Sequence, residues 1–115
     1  MSDHTEAVVL FHIDDCDRWR LTINSVRDLL EQAEPDIRVE IVVNGDAIEG
    51  VRRTSDNAAR IAGLLESGVR LVLCRTSLDL HKIADTEVIA GADFVPSGMV
   101  YLARRQWGHA AYIKP

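Results

Sequence analysis

Val69-Arg70-Leu71-Val72-Leu73-Cys74-Arg75-Thr76-Ser77-Leu78 is the stretch that decides the fold. Val69 to Leu73 read as a buried strand, and the polar run Arg75-Thr76-Ser77 reads as the start of a helix. A strand that passes at once into a helix puts Cys74 at the carboxyl end of the strand. Open α/β sheets bind and react with their ligands at that edge. If the chain does chemistry, Cys74 is the residue expected to carry it.

Working outward from this stretch, the same alternation repeats. Glu6 to Ile13 is an almost unbroken apolar run, as in strands buried on both faces, and it ends in the cap-like Asp14-Asp15-Cys16-Asp17. Trp19, Ile23, Val26 and Leu30 recur at helical spacing and predict a helix over Asp17 to Ala33, stopped by Pro35. Ile37 to Val43 is a second strand, closed by the turn pair Asn44-Gly45. Ala47 to Arg53 is a short helix candidate. A longer one runs from a Ser55-Asp56 cap to Ser67, with Gly68 ending it. Beyond the central stretch, a short helix is expected over Ser77 to Ile83 and an irregular link to Ala92. A short strand follows at Asp93 to Val95, then Pro96-Ser97-Gly98, a last helix from Met99 to Trp107, and a fifth strand at Ala111 to Lys114.

Strands alternating with crossover-length connections imply a parallel sheet with helices on both faces, an α/β fold. All the polar junctions then gather at one edge. Around Cys74 as candidate catalytic residue, the candidate binding residues are His12, Asp14, Asn44, Arg75, Thr76, Ser97 and Gly98.

Composition limits the functions available. A length of 115 residues suits a single domain, residues 1–115, with residues 1–5 expected to fray. With 47% hydrophobic and 27% charged residues the chain has a core and no run long enough to span a bilayer. The net charge of −5 argues against nucleic-acid binding. The start of the chain lacks the basic and apolar segments of a secretory signal, so a cytoplasmic location is expected. The two cysteines, Cys16 and Cys74, are expected to be reduced there. No Gly-rich phosphate loop and no Ser-His-Asp spacing is present. Asp14, Asp15 and Asp17 could hold a hard cation, and Cys16 with His12 a softer one. No complete ligand set is visible, however, so no metal and no cofactor is expected.

A thiol reacts as the thiolate. The helix following Cys74 would direct its positive end toward the sulfur, and Arg75 adds a neighbouring charge. Both would lower the pKa of the thiol. The competing reading is a small hydrophobe at a strand end, in a non-catalytic oligomeric module that binds a small ligand. A third reading, a degenerate receiver domain, is suggested by Asp14-Asp15, Ser97 and Lys114-Pro115. It is opposed by Cys74 at the position where an aspartate must accept phosphate.

Phe11-His12-Ile13-Asp14, Asn24-Ser25-Val26-Arg27, Gly68-Val69-Arg70 leading to Cys74, Pro96-Ser97-Gly98, Arg105-Gln106 with Gly108, and Tyr112-Ile113-Lys114-Pro115 together resemble the small DsrE/DsrF-like proteins. The likeness is to their stand-alone, largely uncharacterised branch, and runs from about Val8 to Pro115. It implies a three-layer α/β/α fold with a five-stranded parallel sheet in the order 4-3-2-1-5. It also implies homo-oligomers, trimers or hexamers, and sulfur relay. In that relay a cysteine matched by Cys74 carries persulfide sulfur between donor and acceptor proteins. The branch often has an asparagine two residues after the cysteine, followed by Thr-Leu; here Thr76 replaces the amide, followed by Ser77-Leu78. In the order 4-3-2-1-5 two strand spacings, about 10 Å, separate the loops of Cys16 and Cys74. Bridged cysteines need Cα atoms within about 7 Å. In a 2-1-3-4-5 order the same loops are neighbours and a redox pair becomes feasible.

Overall fold

The computed structural model describes residues 7–33 and 36–115. The frayed tail expected at residues 1–5 and the stop expected at Pro35 lie outside the described residues. Five parallel strands, β1 (Ala7–Ile13), β2 (Ile37–Val43), β3 (Arg70–Cys74), β4 (Asp93–Val95) and β5 (Ala111–Ile113), form one sheet in the order β4-β3-β2-β1-β5. The helices are α1 (Trp19–Gln32), α2 (Ala58–Glu66), α3 (Arg75–Leu80) and α4 (Gly98–Trp107). The order is not the 2-1-3-4-5 of receiver domains, which removes that reading, and β2 separates the loops of the two cysteines.

Strand periodicity sorts the side chains onto two unequal faces. Val9, Phe11 and Ile13 of β1, Val39, Ile41 and Val43 of β2, and Leu71 and Leu73 of β3 share one buried cluster with Trp19, Ile23 and Val26 of α1, Ile61 and Leu64 of α2, and Leu78 of α3. Leu10, Val42 and Val72 face the other way, against Leu102 of α4. Right-handed crossovers explain the division. From β1 to β4 the chain steps steadily in one direction, so the connecting helices stay on one side. The return from β4 to β5 reverses direction and carries α4 to the opposite side. The layers are therefore α/β/α, with a deep apolar face and a second face covered by α4.

That second face also buries polar groups, which must be partnered to be tolerated. Glu40 of β2 is buried; it accepts from the Tyr101 hydroxyl and from Arg105 Nη2 (2.7 Å), with Arg70 Nη1 at 3.6 Å. Arg70 in turn donates to Asp93 (2.7 Å). Tyr101 and Arg105 both belong to α4, so this cluster pins the helix to the sheet.

α1 begins at Trp19 rather than Asp17, after a 3₁₀ turn at Cys16–Arg18, and α4 begins at Gly98 rather than Met99. The other two helix starts also differ from expectation. α3 begins at Arg75 rather than Ser77, with Cys74 itself in the capping position. α2 begins at Ala58 rather than after Ser55, because the Ser55 hydroxyl donates to the Gly50 carbonyl (2.6 Å) and accepts from the Asn57 N–H (3.2 Å), holding a turn there. The helix candidate at Ala47 to Arg53 is a 3₁₀ segment, Gly45–Val51, with Ile48 and Val51 fully buried. No helix among the described residues is long and apolar enough to cross a membrane.

Candidate functional site

α3 leaves the carboxyl end of β3 on one side of the sheet, and α4 leaves β4 on the other. Adjacent strands whose connections diverge open a crevice at their carboxyl ends, and Cys74 stands there. Along the sheet, the neighbouring strand ends present Ser97-Gly98 after β4, Cys74 on β3, Asn44 after β2, His12 on β1 and Tyr112 on β5. The row joins residues that lie far apart in the sequence.

Cys74 is 5% exposed, and its sulfur sits among hydrogen-bond donors. Burial pushes the thiol up. Hydrogen bonds from the Gly98 N–H, the Ser77 hydroxyl and N–H, and the Thr76 N–H outweigh it and hold the thiol below its ordinary value. Two helix starts supply these donors: Thr76 and Ser77 lie in the first turn of α3, and Gly98 is the first residue of α4. The early start of α3 is what frees the Thr76 and Ser77 amides for the sulfur. Ser77 is itself directed, since its oxygen accepts from the Gly45 N–H (2.9 Å) and its proton is left to the sulfur. Gly45 has φ +59°, and a Cβ there would lie 2.8 Å from the Asp14 carbonyl oxygen, so this turn requires glycine.

The expected binding residues divide by position. Gly98 lies directly on the site: a Cβ added there would stand 3.4 Å from Cys74 Cβ and 3.5 Å from Asn44 Cβ. Ser97 caps α4, its hydroxyl accepting from the Val100 N–H (3.3 Å). Thr76 ties α3 to the next loop by donating to the Pro96 carbonyl (3.0 Å). His12 lies 2.7 Å from Asn44 Oδ1 through Nε2 and 2.6 Å from the Tyr112 hydroxyl through Nδ1. Asp14 is paired with Lys114 (3.1 Å) at the rim. Arg75 is turned away: it is held by Asp85 through two contacts (2.5 and 3.3 Å) and lies 4.6 Å over the Phe94 ring. The depressed thiol is explained by amide and hydroxyl donors, and the charge expected from Arg75 is not among its causes.

Two residues of this constellation escape a linear reading. Ser77 stands in the quoted polar run, where its residue type signals only a helix start. Tyr112 reaches His12 only because β5 pairs with β1, which places residues 12 and 112 on one face. Cys16 lies apart, packed against the deep apolar face. Its thiol is raised, first by burial and then by the carboxylates of Asp46, Asp17, Glu49 and Asp15. Both cysteines are free thiols. Among the described residues no group of three or more His, Cys, Asp or Glu side chains could hold a metal ion.

The sequence matches the model of the DsrE/DsrF-like family over residues 4–115. The chain belongs to the DsrE/DsrF-like family. Its structure is similar to that of a protein of unknown function, MTH1491 from Methanobacterium thermoautotrophicum, at 33% identity over 95% of this chain and 99% of that one, with a TM-score of 0.89. It shares the fold of the ychN protein of E. coli at 19% identity, covering 96% of this chain and all (100%) of that one, with a TM-score of 0.74. No curated protein matches the sequence significantly. In this chain Cys74 is the last residue of the third strand.

Proposed function

We propose that this DsrE-like protein is a sulfur carrier that holds persulfide sulfur on Cys74 and passes it between partner proteins. The observation that carries the reading is one recessed thiol at the carboxyl edge of the sheet, packed beside Gly98 at the start of α4 and facing donors from Gly98, Ser77 and Thr76. The Cys74 thiolate attacks the outer sulfur of a donor persulfide. A sulfur–sulfur bond forms at Cys74, the donor's own sulfur–sulfur bond breaks, and the donor leaves as a thiolate. An acceptor thiolate then attacks the outer sulfur on Cys74, and Cys74 departs as thiolate in its turn. There is no net oxidation. The same donors serve both steps, because a lowered thiol is both the available nucleophile and the better leaving group.

The test is intact-mass measurement after incubation with a persulfide donor. The wild type is expected to gain the mass of one sulfur atom and Cys74→Ser none. No gain on wild type, or equal gain on the variant, removes the carrier reading and leaves a ligand-binding module with a bystander thiol.

We also propose that the protein self-associates, as a homotrimer or homohexamer. Support comes from Met99, Val100 and Trp107 on α4 and Tyr112 and Ile113 on β5, all exposed large apolar side chains. Sedimentation equilibrium is expected to give three or six times the chain mass; a monomer across the concentration range refutes it.

A further inference from the structure

His12, Tyr112 and Asn44 form a polar chain, buried at His12, that the thiol exchange above does not use. β2 lies between β1 and β3, so Asn44 stands between His12 and Cys74. Its Cβ and that of Cys74 lie 3.5 and 3.4 Å from the point where a Cβ on Gly98 would stand. Asn44 Oδ1 can only accept, so His12 Nε2 carries the proton at that 2.7 Å contact, and Nδ1 accepts from the Tyr112 hydroxyl at 2.6 Å. His12 is 4% exposed, and with both ring nitrogens engaged it fixes the amide it faces. The carboxamide oxygen of Asn44 is thereby committed. What it can still offer is Nδ2, two donors and no acceptor.

Those donors are not among the groups that hold the Cys74 sulfur. A persulfide places a second sulfur about 2 Å further out, from a recessed position toward the rim where Asn44 is half-buried. This outer sulfur carries the negative charge. The rim cations are occupied elsewhere, Lys114 by Asp14 and Arg75 by Asp85. We propose that Asn44 Nδ2 is the binding group for the outer sulfur of a Cys74 persulfide, with His12 and Tyr112 as positioning residues that hold its amide donors toward that sulfur. The site is then built for a two-sulfur anion, the inner sulfur held by Gly98, Ser77 and Thr76 and the outer one by Asn44. This rests on the carrier reading but is tested without a protein donor.

In a Cys16→Ser background, Cys74 is first made a mixed disulfide with an aromatic thiol. Hydrosulfide then displaces the aryl thiolate: the old sulfur–sulfur bond breaks, a new one forms, and Cys74 keeps one added sulfur. Alkylation rates against pH give one midpoint for this persulfide and another for the unmodified thiol. In Asn44→Ala the persulfide midpoint is expected to rise by about one pH unit, while the thiol midpoint stays put. Asn44→Asp keeps the acceptor for His12, replaces the donors by a carboxylate oxygen, and is expected to raise it further. His12→Phe should resemble Asn44→Ala, and His12→Gln, which retains an N–H for Asn44, should recover part of the difference. An unmoved persulfide midpoint in Asn44→Ala and Asn44→Asp overturns the assignment. So does an equal movement of both midpoints, which marks a general disturbance of the fold. Because the sulfur is installed chemically, failure of the wild type to take sulfur from a donor sinks the carrier reading and leaves this result to be read by itself.

Discussion

The two cysteines occupy equivalent places in the chain and opposite electrostatic surroundings. Each lies just beyond or at the carboxyl end of a parallel strand, and each is followed closely by a helical turn. Around Cys74 the groups that act on the thiol are N–H and O–H donors from two converging helix starts, and it is lowered despite burial. Around Cys16 they include the carboxylates of Asp46, Asp17, Glu49 and Asp15, and its thiol is raised by burial and by them. The loop of Cys16 is nonetheless organised: Asp15 caps the following 3₁₀ turn by accepting from the Asp17 N–H (2.9 Å), and Asp46 accepts from the Cys16 N–H (3.2 Å). The difference lies in what the helix start is used for. At Cys16 carboxylates take the free amides, so a thiolate there would meet negative charge. At Cys74 the cap is the cysteine, and the amides are left for its sulfur. Position at the sheet edge makes reactivity possible; the occupancy of the first-turn amides decides it.

Ser77 offers the largest way to break this contrast. Its hydroxyl donates to the Cys74 sulfur and accepts from the Gly45 N–H. Ser77→Ala removes a hydrogen bond to a charged group, worth about 1.5 kcal/mol, so alkylation of Cys74 at neutral pH should slow about tenfold. Cys16 should label at its wild-type rate. Peptide-resolved mass spectrometry after a short exposure to a limiting alkylating agent separates the two sites. Equal slowing at both would mean that the substitution acts through the fold as a whole; no slowing at Cys74 would remove the hydroxyl from the account.

The contrast also shows what a linear reading can reach. The sheet was legible because strands such as Val69 to Leu73 are buried on both faces and end in abrupt polar junctions, and those junctions do meet at one edge. The order 4-3-2-1-5 was legible through family resemblance alone, since periodicity says nothing of which strand lies beside which. The surroundings of Cys74 depend on that order. Gly98 reaches the sulfur because β4 pairs with β3, and Tyr112 reaches His12 because β5 pairs with β1. Arg75 illustrates the opposite error. Adjacency in sequence suggested a charge near the thiol, but the side chain of the first helical residue turns away to Asp85 and Phe94. Taking Ser77 as the opening of the helix sets the start of α3 two residues late, because Cys74 occupies the capping position and the serine hydroxyl serves the sulfur.

The smallest expected effect concerns stability, and its sign separates the two thiols. For Cys74 the folded value lies below the unfolded one. As pH rises through the folded value the native state loses its proton first, so it binds fewer protons than the unfolded chain and stability increases. That contribution is complete above the unfolded thiol value and is lost as pH falls through the folded one. For Cys16 the folded value lies above the unfolded one, so the unfolded chain deprotonates first. Its contribution is complete below the unfolded value and is lost as pH rises through the folded one. In the alkaline window the two therefore oppose each other, and the wild type shows only their difference. Single substitutions should separate them. Between neutral and alkaline pH, the urea midpoint of Cys16→Ser should improve relative to wild type, and that of Cys74→Ser should worsen. The Cys16 effect should be the weaker, because its partly exposed loop is screened by solvent. Movement of both variants in the same direction would mean that the two thiols do not differ in the way their surroundings require, and the contrast between a donor-lined and a carboxylate-lined cysteine would fail with it.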